Sequence, residues 1–191
     1  VLSADHGDML GAQGLMGKNI WYEESINIPL MICDQNVAPG PTDILFSSED
    51  HMPTLLELLQ VQAPACVEGK SFATRLIDNS SLLVEEDDEK LIMMIPGMPD
   101  MVDAYRRRGY NNKAFGWRGL RMKDKTYVVD NGTRPGAIQK RYLYDLLQDP
   151  LQKKPIELDR KDPIAKQMDQ KLQVYLNKTN DPFILDQVEW R

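Results

Sequence analysis

Short apolar runs alternate with turn-forming segments through the first part of the chain. Residues 1–3 and 28–33 are apolar runs of strand length, and we interpret them as the end of one buried strand and the whole of a second. The segment between them predicts a loop followed by a short helix at residues 22–25. The stretch at residues 36–42, which contains Pro and Gly, predicts a turn-rich connection.

Two helices are predicted after this connection. Ser48 or Asp50 is the expected N-cap of the first helix, and Pro53 is tolerated within its first turn. Four apolar residues recur at helical spacing and are expected to form its buried face: Met52, Leu55, Leu56 and Leu59. A second, shorter helix is expected to begin at residues 69–72 and to end near Ile77.

The later part of the chain predicts a small antiparallel sheet with one packed helix. Four short strands are expected, at residues 90–95, 117–122, 126–129 and 142–146. A hairpin turn is predicted between the second and third strands. Asp162 and Pro163 predict the start of the helix, as N-cap and first helical residue. The apolar stripe that is expected to pack across the sheet consists of Ile164, Met168, Leu172 and Tyr175.

A run of five acidic residues at positions 85–89 separates the two patterns. Consecutive like charges repel one another and favour a solvated connection. We therefore predict a domain boundary here, with an α/β part over residues 1–84 and a smaller α+β subdomain over residues 85–191. Metal binding by the acidic run is the less favoured alternative, because consecutive residues rarely converge on one ion.

The composition argues against several classes of protein. The chain of 191 residues is 42% hydrophobic and 27% charged, and its formal net charge is -6 at pH 7. This negative balance disfavours nucleic-acid binding, and no apolar run approaches the ~18 residues of a membrane helix. Two cysteines cannot form a disulfide framework. We expect Cys33, in an apolar run, to be a small core residue and Cys66 to be a free thiol in a loop.

Three residues early in the chain carry the candidate chemistry. Asp5 and His6 follow the first predicted strand, and Lys18 comes thirteen residues after Asp5. Open α/β sheets bind their ligands at the carboxyl ends of strands. A carboxylate and an imidazole can hold a metal ion, and an ammonium group suits a tetrahedral oxyanion, so the set predicts phosphate or sulfate chemistry. The structural alternative is that Asp5 caps a turn, His6 fills a local pocket and Lys18 is solvated.

The order of the motifs resembles the sulfatases of the alkaline phosphatase superfamily. In the C-terminal half of those enzymes a strand, Asp-His-Gly, a Gly-rich loop, Lys, Tyr-Glu-Glu-Ser, a hydrophobic residue and Pro follow one another, and residues 1–29 have a similar order. Residues 50–56 resemble the family's Asp-x-x-Pro-Thr-Leu-Leu helix, and residues 143–150 resemble its Leu-Tyr-Asp-Leu-x-x-Asp-Pro segment. The resemblance implies that residues 1–84 are the C-terminal part of the α/β catalytic domain.

The resemblance also implies a role for each of the three residues. In similar sulfatases the matching Asp and His join acidic residues of the N-terminal half in holding calcium, and the matching Lys contacts the sulfate group. Asp5 and His6 are therefore the expected metal ligands, and Lys18 is the expected substrate-binding residue. Calcium takes about six to eight mainly oxygen ligands, so these two donors alone are too few. The implied substrate is a sulfated small molecule or a sulfated glycan, and the implied location is periplasmic or secreted.

The catalytic nucleophile of the family is not present in this chain. Similar sulfatases use Cys or Ser in a Cys/Ser-x-Pro-x-Arg motif, oxidised to formylglycine, and neither Cys33 nor Cys66 lies in such a motif. No catalytic residue is therefore expected within the chain, and the chain alone is expected to be inactive. Because the chain also begins inside a predicted strand, we interpret it as the C-terminal portion of a longer enzyme, with the N-terminal half as its partner.

Several other positions carry weaker predictions. Gln13 stands where the family often has a histidine in Gly-x-His-Gly, and glutamine cannot transfer protons. Tyr22, Glu23 and Glu24 are expected either to support the site or to form a solvated helix face. His51 is expected to be structural or exposed.

Two alternatives to a sulfatase stay open. One is a phosphoric or phosphonic ester hydrolase of the same superfamily, whose metal-binding half looks alike. The other is a non-catalytic module for packing, assembly or glycan binding, which the low aromatic content of 7% disfavours in its glycan-binding form. The basic run at residues 106–108 is expected to be a surface cluster, with contact to an anionic sugar as the alternative.

Overall fold

The computed structural model describes residues 1–78 and 89–185, which form a mixed α/β structure. The described residues divide into two compact units, one formed by residues 1–4, 29–78 and 89–90 and the other by residues 5–28 and 91–185. The predicted domain boundary after residue 84 and the acidic residues 85–88 lie outside the described residues. That boundary therefore stays a prediction.

Strands and helices are numbered along the chain. The strands are β1 (Leu2–Ser3), β2 (Leu30–Met31), β3 (Glu89–Met94), β4 (Trp117–Met122), β5 (Lys125–Asp130), β6 (Lys140–Asp145) and β7 (Ile156–Glu157). The helices are α1 (Glu23–Ile26), α2 (His51–Leu58), α3 (Ala73–Asp78), α4 (Pro99–Arg107) and α5 (Pro163–Lys178).

In the first unit, β1 and β2 form an antiparallel pair in which Leu2 lies opposite Met31. Both side chains face solvent, since Leu2 is 54% exposed and Met31 is 60% exposed. The expectation of two buried strands is therefore wrong, because a pair with two residues in each strand encloses no sheet interior. Cys33, which was expected in the core, is exposed as well, whereas Cys66 is a free thiol as expected.

Helix α2 has a narrower buried face than its sequence predicts. Pro53 and Thr54 are buried, and the Thr54 hydroxyl accepts a hydrogen bond from the Phe72 backbone N–H at 3.0 Å. Met52 and Leu59, which were expected in the core, are 54% and 69% exposed. The helix packs through the side that carries Thr54, so the apolar positions on its flanks stay in solvent.

The second unit contains a five-stranded sheet in the order β3-β4-β5-β6-β7. Strands β4 to β7 pair antiparallel, and Leu120 lies opposite Tyr127 across the β4–β5 hairpin. The predicted strands and the predicted hairpin turn are confirmed, with ends that differ by one or two residues. The N-cap of α5 is also confirmed, because the Asp162 carboxylate accepts a hydrogen bond from Ile164 N–H at 2.8 Å.

Helix α5 covers one face of this sheet. Met168 and Leu172 are buried as expected, together with Ala165 and Leu176, while Ile164 is 46% exposed. The buried stripe therefore begins at Ala165, one position after the predicted Ile164. Its partners in the sheet include Leu120, Met122, Tyr127 and Val129.

Residues 19–26 cover the opposite face of the sheet. Because strand side chains alternate between faces, Val128 points away from α5 and clusters with Trp21, Trp117 and Tyr144. Trp21 Nε1 donates to the Tyr144 hydroxyl at 2.9 Å, and Trp117 Nε1 donates to the Asn19 carbonyl at 3.0 Å. The segment that directly follows Lys18 is thus packed on the sheet.

Candidate functional site

The Asp-His-Gly motif lies in an exposed loop after β1. The backbone N–H of His6 donates to Asp5 Oδ1 at 3.1 Å, which holds the carboxylate beside the imidazole. The side chain of Asp5 is 86% exposed, and His6 Nε2 lies 3.4 Å from Asp5 Oδ2. The two expected metal ligands therefore present their donor atoms at one accessible place.

The contacts of the His6 ring define its tautomer. Nδ1 lies 2.7 Å from the carbonyl oxygen of Gly7, and a carbonyl oxygen can only accept, so Nδ1 carries the proton. In the neutral ring Nε2 then carries the lone pair that can accept a hydrogen bond or bind a metal ion. This arrangement is typical of metal-binding histidines, whose other nitrogen donates to a backbone carbonyl or a carboxylate.

Lys18 reaches the same group of atoms. Its Nζ donates a hydrogen bond to His6 Nε2, and that nitrogen lies beside the Asp5 carboxylate. The structure thus brings together the three residues singled out in the sequence. What they bind stays a prediction.

A compact loop between His6 and Lys18 produces this contact. Met9 anchors the loop, since its side chain is 2% exposed and its N–H donates to the Gly17 carbonyl at 2.7 Å. This bond closes the loop and brings Lys18 into contact with His6, twelve positions earlier in the chain.

The backbone of this segment is strained. Leu10, Gln13 and Asn19 adopt positive φ values of 43°, 54° and 76°, a region that residues other than glycine rarely occupy. Strain of this kind clusters at ligand-binding loops, where the surrounding structure maintains it. The Gln13 amide donates to the Leu151 carbonyl at 2.6 Å, so the side chain at the family's histidine position is bonded to backbone.

Gly7 lies against helix α1 with no room for a side chain. Its N–H donates to the Ser25 carbonyl at 3.0 Å, and a Cβ at this position would lie 2.0 Å from the Glu24 carbonyl oxygen. A contact that short is impossible, so only glycine fits here. The glycine of Asp-His-Gly therefore allows the loop that carries Asp5 and His6 to pack on α1.

Helix α1 is in turn held by the sheet. Arg121 in β4 forms two parallel hydrogen bonds with Glu23, at 2.7 Å from Nε to Oε1 and 3.0 Å from Nη2 to Oε2. The Glu23 N–H donates to Gln152 Oε1 at 2.7 Å. Glu23 is therefore bonded to the sheet and is not part of a solvated helix face. Its role in supporting a site stays a prediction.

Sequence reasoning did not identify Arg121 or Gln152 as part of this arrangement. Arg121 is one of two arginines in strand β4, together with Arg118, and a charged residue within a strand was the one available signal for it. Gln152 gave no signal, because it is a single polar residue after a turn and belongs to no motif. Both lie about a hundred residues or more from Glu23 in the chain, so no local spacing links them to it.

The remaining candidates lie in other surroundings. In the first unit, His51 Nδ1 bonds to the carbonyls of Ser47 and Ser48, both at 3.2 Å, a local contact within its own helix start. In the second unit, Arg106 pairs with Asp103 at 3.4 Å in the exposed last turn of α4. Neither environment resembles the loop at His6.

The donor chemistry fits part of a calcium site. Asp5 offers an accessible carboxylate and His6 an imidazole lone pair, but calcium requires about six to eight ligands. Within residues 1–78 and 89–185, no three side chains of the His, Cys, Asp or Glu types gather closely enough to hold a metal ion.

The helices in the described part of the chain are too short or too polar to span a membrane.

Comparison with known proteins places the chain among sulfatases. An endo-4-O-sulfatase of Bacteroides thetaiotaomicron is 26% identical over 195 residues, which cover 98% of this chain and 37% of that enzyme. An ulvan-active sulfatase of Formosa agariphila is 31% identical over 133 residues, 67% of this chain and 24% of that enzyme. The crystal structure of a candidate sulfatase from Bacteroides fragilis matches with a TM-score of 0.75 and 26% identity, over 95% of this chain and 36% of that one. No protein-family profile matches the chain.

The share of each relative that is matched is small. The chain spans about a third of the length of the endo-4-O-sulfatase and of the Bacteroides fragilis protein. The likeness therefore concerns one part of those proteins, and it extends over nearly the whole of this chain.

Proposed function

We propose that this chain, which belongs to the sulfatase family of the alkaline phosphatase superfamily, is the C-terminal portion of an enzyme that hydrolyses sulfate esters. The convergence of Asp5, His6 and Lys18 at one accessible place carries the proposal. The C-terminal placement is supported by the order of the motifs, which resembles that of the family's second half.

Asp5 and His6 would hold calcium in this enzyme. Calcium, when bound, supplies a Lewis acid that neutralises sulfate oxygens and orients the ester. The bond from His6 Nδ1–H to the Gly7 carbonyl orients the ring and leaves Nε2 as the nitrogen that would bind the ion. The other oxygen ligands would come from the part of the enzyme that precedes this chain.

Lys18 would bind the sulfate group. Its ammonium is bonded to His6 Nε2, and a metal ion at that nitrogen would compete for the same lone pair. The flexible lysine side chain has three donors and can turn to a sulfate oxygen instead. A cation beside the ester also stabilises negative charge that develops in the transition state.

The substrate in this proposal is a sulfated small molecule or a sulfated glycan. The nucleophile would be a formylglycine from the preceding part of the enzyme, because the chain has no Cys/Ser-x-Pro-x-Arg motif. The residues of this chain bind and orient the ester, and the covalent step is carried by the missing half.

The test uses the complete enzyme and an aryl sulfate. Asp5→Ala, His6→Ala and Lys18→Met are each expected to lower kcat/KM by roughly 10²-fold or more, the usual cost of losing a charge-stabilising group. Asp5→Ala and His6→Ala should also abolish the calcium dependence. His51→Gln replaces the other histidine of the chain and serves as the matched control, which is expected to retain activity.

Two results would contradict the proposal. One is wild-type activity in the Asp5 and His6 variants. The other is hydrolysis of a phosphonate monoester at a higher kcat/KM than any sulfate ester, which would favour the phosphonic ester hydrolase of the same superfamily.

A further inference from the structure

We propose that the ion pair between Glu23 and Arg121 positions the Asp-His-Gly loop, so that these two residues set the calcium affinity of the site. They are positioning residues, since neither touches the metal ligands directly. The inference rests on the proposed function, because it assigns a supporting pair to the site at Asp5 and His6.

The geometry of the pair fixes orientation as well as distance. The planar guanidinium of Arg121 meets the Glu23 carboxylate through two parallel bonds of 2.7 Å and 3.0 Å. The side chains are 20% and 18% exposed, so solvent screens them only in part. Arg121 Nη1 also donates to the Met122 carbonyl. Two parallel hydrogen bonds fix the plane of the carboxylate relative to the guanidinium, whereas a single hydrogen bond would leave it free to rotate.

A second contact holds the same residue through its backbone. Gln152, 1% exposed, accepts a hydrogen bond from the Glu23 N–H at 2.7 Å. Helix α1 has four residues, far fewer than the ~12 to 15 that an isolated helix needs to be stable in water. Its position is therefore set by these contacts with the sheet and with the segment after β6.

Helix α1 is connected to the His6 imidazole through Gly7. The Ser25 carbonyl accepts the Gly7 N–H at 3.0 Å, and the Glu24 carbonyl leaves no space at the Gly7 Cα. The Gly7 carbonyl in turn accepts the proton of His6 Nδ1 at 2.7 Å. A shift of α1 would thus move the carbonyl that orients the metal-binding nitrogen.

A purely stabilising role is the competing explanation, and the sheet offers a matched control. Arg141 in β6 also pairs with a carboxylate, that of Asp169 in α5, where Nε and Nη2 both donate to Oδ2, at 3.0 Å and 2.9 Å. Its side chain is 3% exposed, and it contacts the helix on the opposite face of the sheet from residues 19–26. Loss of this pair should lower the stability of the protein without displacing the Asp-His-Gly loop.

The experiment compares Arg121→Met, Glu23→Gln, their double variant and Arg141→Met in the complete enzyme. Calcium affinity is measured by titration calorimetry, and protection of the Gly7 amide by hydrogen-exchange mass spectrometry of a peptide over residues 3–9. Loss of a group that orients a metal ligand typically costs about 10- to 100-fold in affinity. We expect a loss of roughly 10-fold in each single variant, faster exchange over residues 3–9, and no further loss in the double variant.

The control separates positioning from stability. Arg141→Met is expected to lower the Tm while leaving calcium affinity within about twofold of wild type. Arg141 has no contact with the Asp-His-Gly loop, and substitutions at sites that share no partners act independently. Arg121→Lys keeps the charge but not the fork, and it is the milder variant to be measured if Arg121→Met does not fold. It is expected to weaken calcium binding less than Arg121→Met.

Two outcomes would overturn the inference. One is wild-type calcium affinity in the Arg121 and Glu23 variants, and the other is an equal loss in Arg141→Met. If the wild-type enzyme itself binds no calcium, the proposed function fails and the affinity claim fails with it. The exchange data then still decide whether the ion pair holds the loop.

Discussion

At the residue scale, Gly7 shows how a single position without a side chain organises the site. Its backbone lies so close to α1 that a Cβ would contact the Glu24 carbonyl at 2.0 Å. The same residue provides the carbonyl that fixes the His6 tautomer. Glycine is therefore required here because there is no room for a Cβ. The orientation of the His6 ring depends on the position of the Gly7 carbonyl.

We predict that Gly7→Ala lowers the activity of the complete enzyme. The added methyl group must push the loop away from α1, and displacement of a binding group by about 1 Å can cost roughly 10²-fold in rate. The measurement is kcat/KM on an aryl sulfate together with the Tm.

Gly97→Ala is the matched control for this substitution. A Cβ at Gly97 would meet its nearest neighbour, the Ile95 carbonyl, at 3.6 Å, an ordinary contact. It is expected to leave kcat/KM unchanged. Wild-type activity in Gly7→Ala would show that the loop adapts to the added methyl group and that the close contact of Gly7 with α1 is not needed for activity.

At the element scale, one buried carboxylate joins several parts of the first unit. Asp50 is 2% exposed and accepts hydrogen bonds from the N–H and hydroxyl of Ser47, the N–H of Lys70 and the ammonium of Lys90. Burial alone would raise the pKa of Asp50, but these hydrogen bonds, led by Lys90, hold it below its ordinary value. The start of α2, the segment before α3 and the start of β3 therefore share one charge.

We predict that Asp50→Asn destabilises the first unit by about 3 kcal/mol near neutral pH, the usual cost of leaving a buried partner charge uncompensated. Because the folded pKa is lowered, the contribution of Asp50 is complete above the unfolded pKa of about 3.9 and is lost as the pH falls through the folded value. The difference between wild type and variant should thus shrink below about pH 4.

Urea unfolding between pH 3 and pH 7 measures this difference. Glu49→Gln is the matched control, since Glu49 is the exposed neighbour of Asp50, and it should change the free energy of unfolding little at any pH. A constant difference between Asp50→Asn and wild type across this range would contradict the assignment.

The elements themselves were largely predictable. Strands β4 and β5, the hairpin between them and the Asp162 cap of α5 depend on residues that are neighbours in sequence, and each is found where it was expected within one or two residues. Their burial was less predictable. Ile164 fits the helical period of α5, yet it is 46% exposed, because the contact with the sheet is centred on the neighbouring stripe.

At the scale of the whole molecule, the proposed function gives this chain part of a site. It would supply Asp5, His6 and Lys18, while the nucleophile motif of the family is not in its sequence. Binding groups without a nucleophile and without a complete metal shell cannot carry out the displacement.

We therefore predict that the isolated chain of 191 residues turns over no sulfate ester. The measurement is release of 4-nitrophenol from its sulfate ester, with and without calcium, by the purified chain. The complete enzyme under the same conditions is the positive control. Calcium-dependent hydrolysis by the isolated chain would contradict the prediction and would place the nucleophile within these residues.

The sequence by itself determined the order of the motifs, the family, and the strands, turns and caps that neighbouring residues dictate. The tertiary structure alone decided three further things: that Lys18 meets His6 through a closed loop, that the apolar residues of β1 and β2 face solvent, and that Arg121 reaches across 98 positions to Glu23. The physical reason is the range of the interactions. Local patterns fix backbone conformation over a few residues, whereas contacts between distant residues depend on how the whole chain packs.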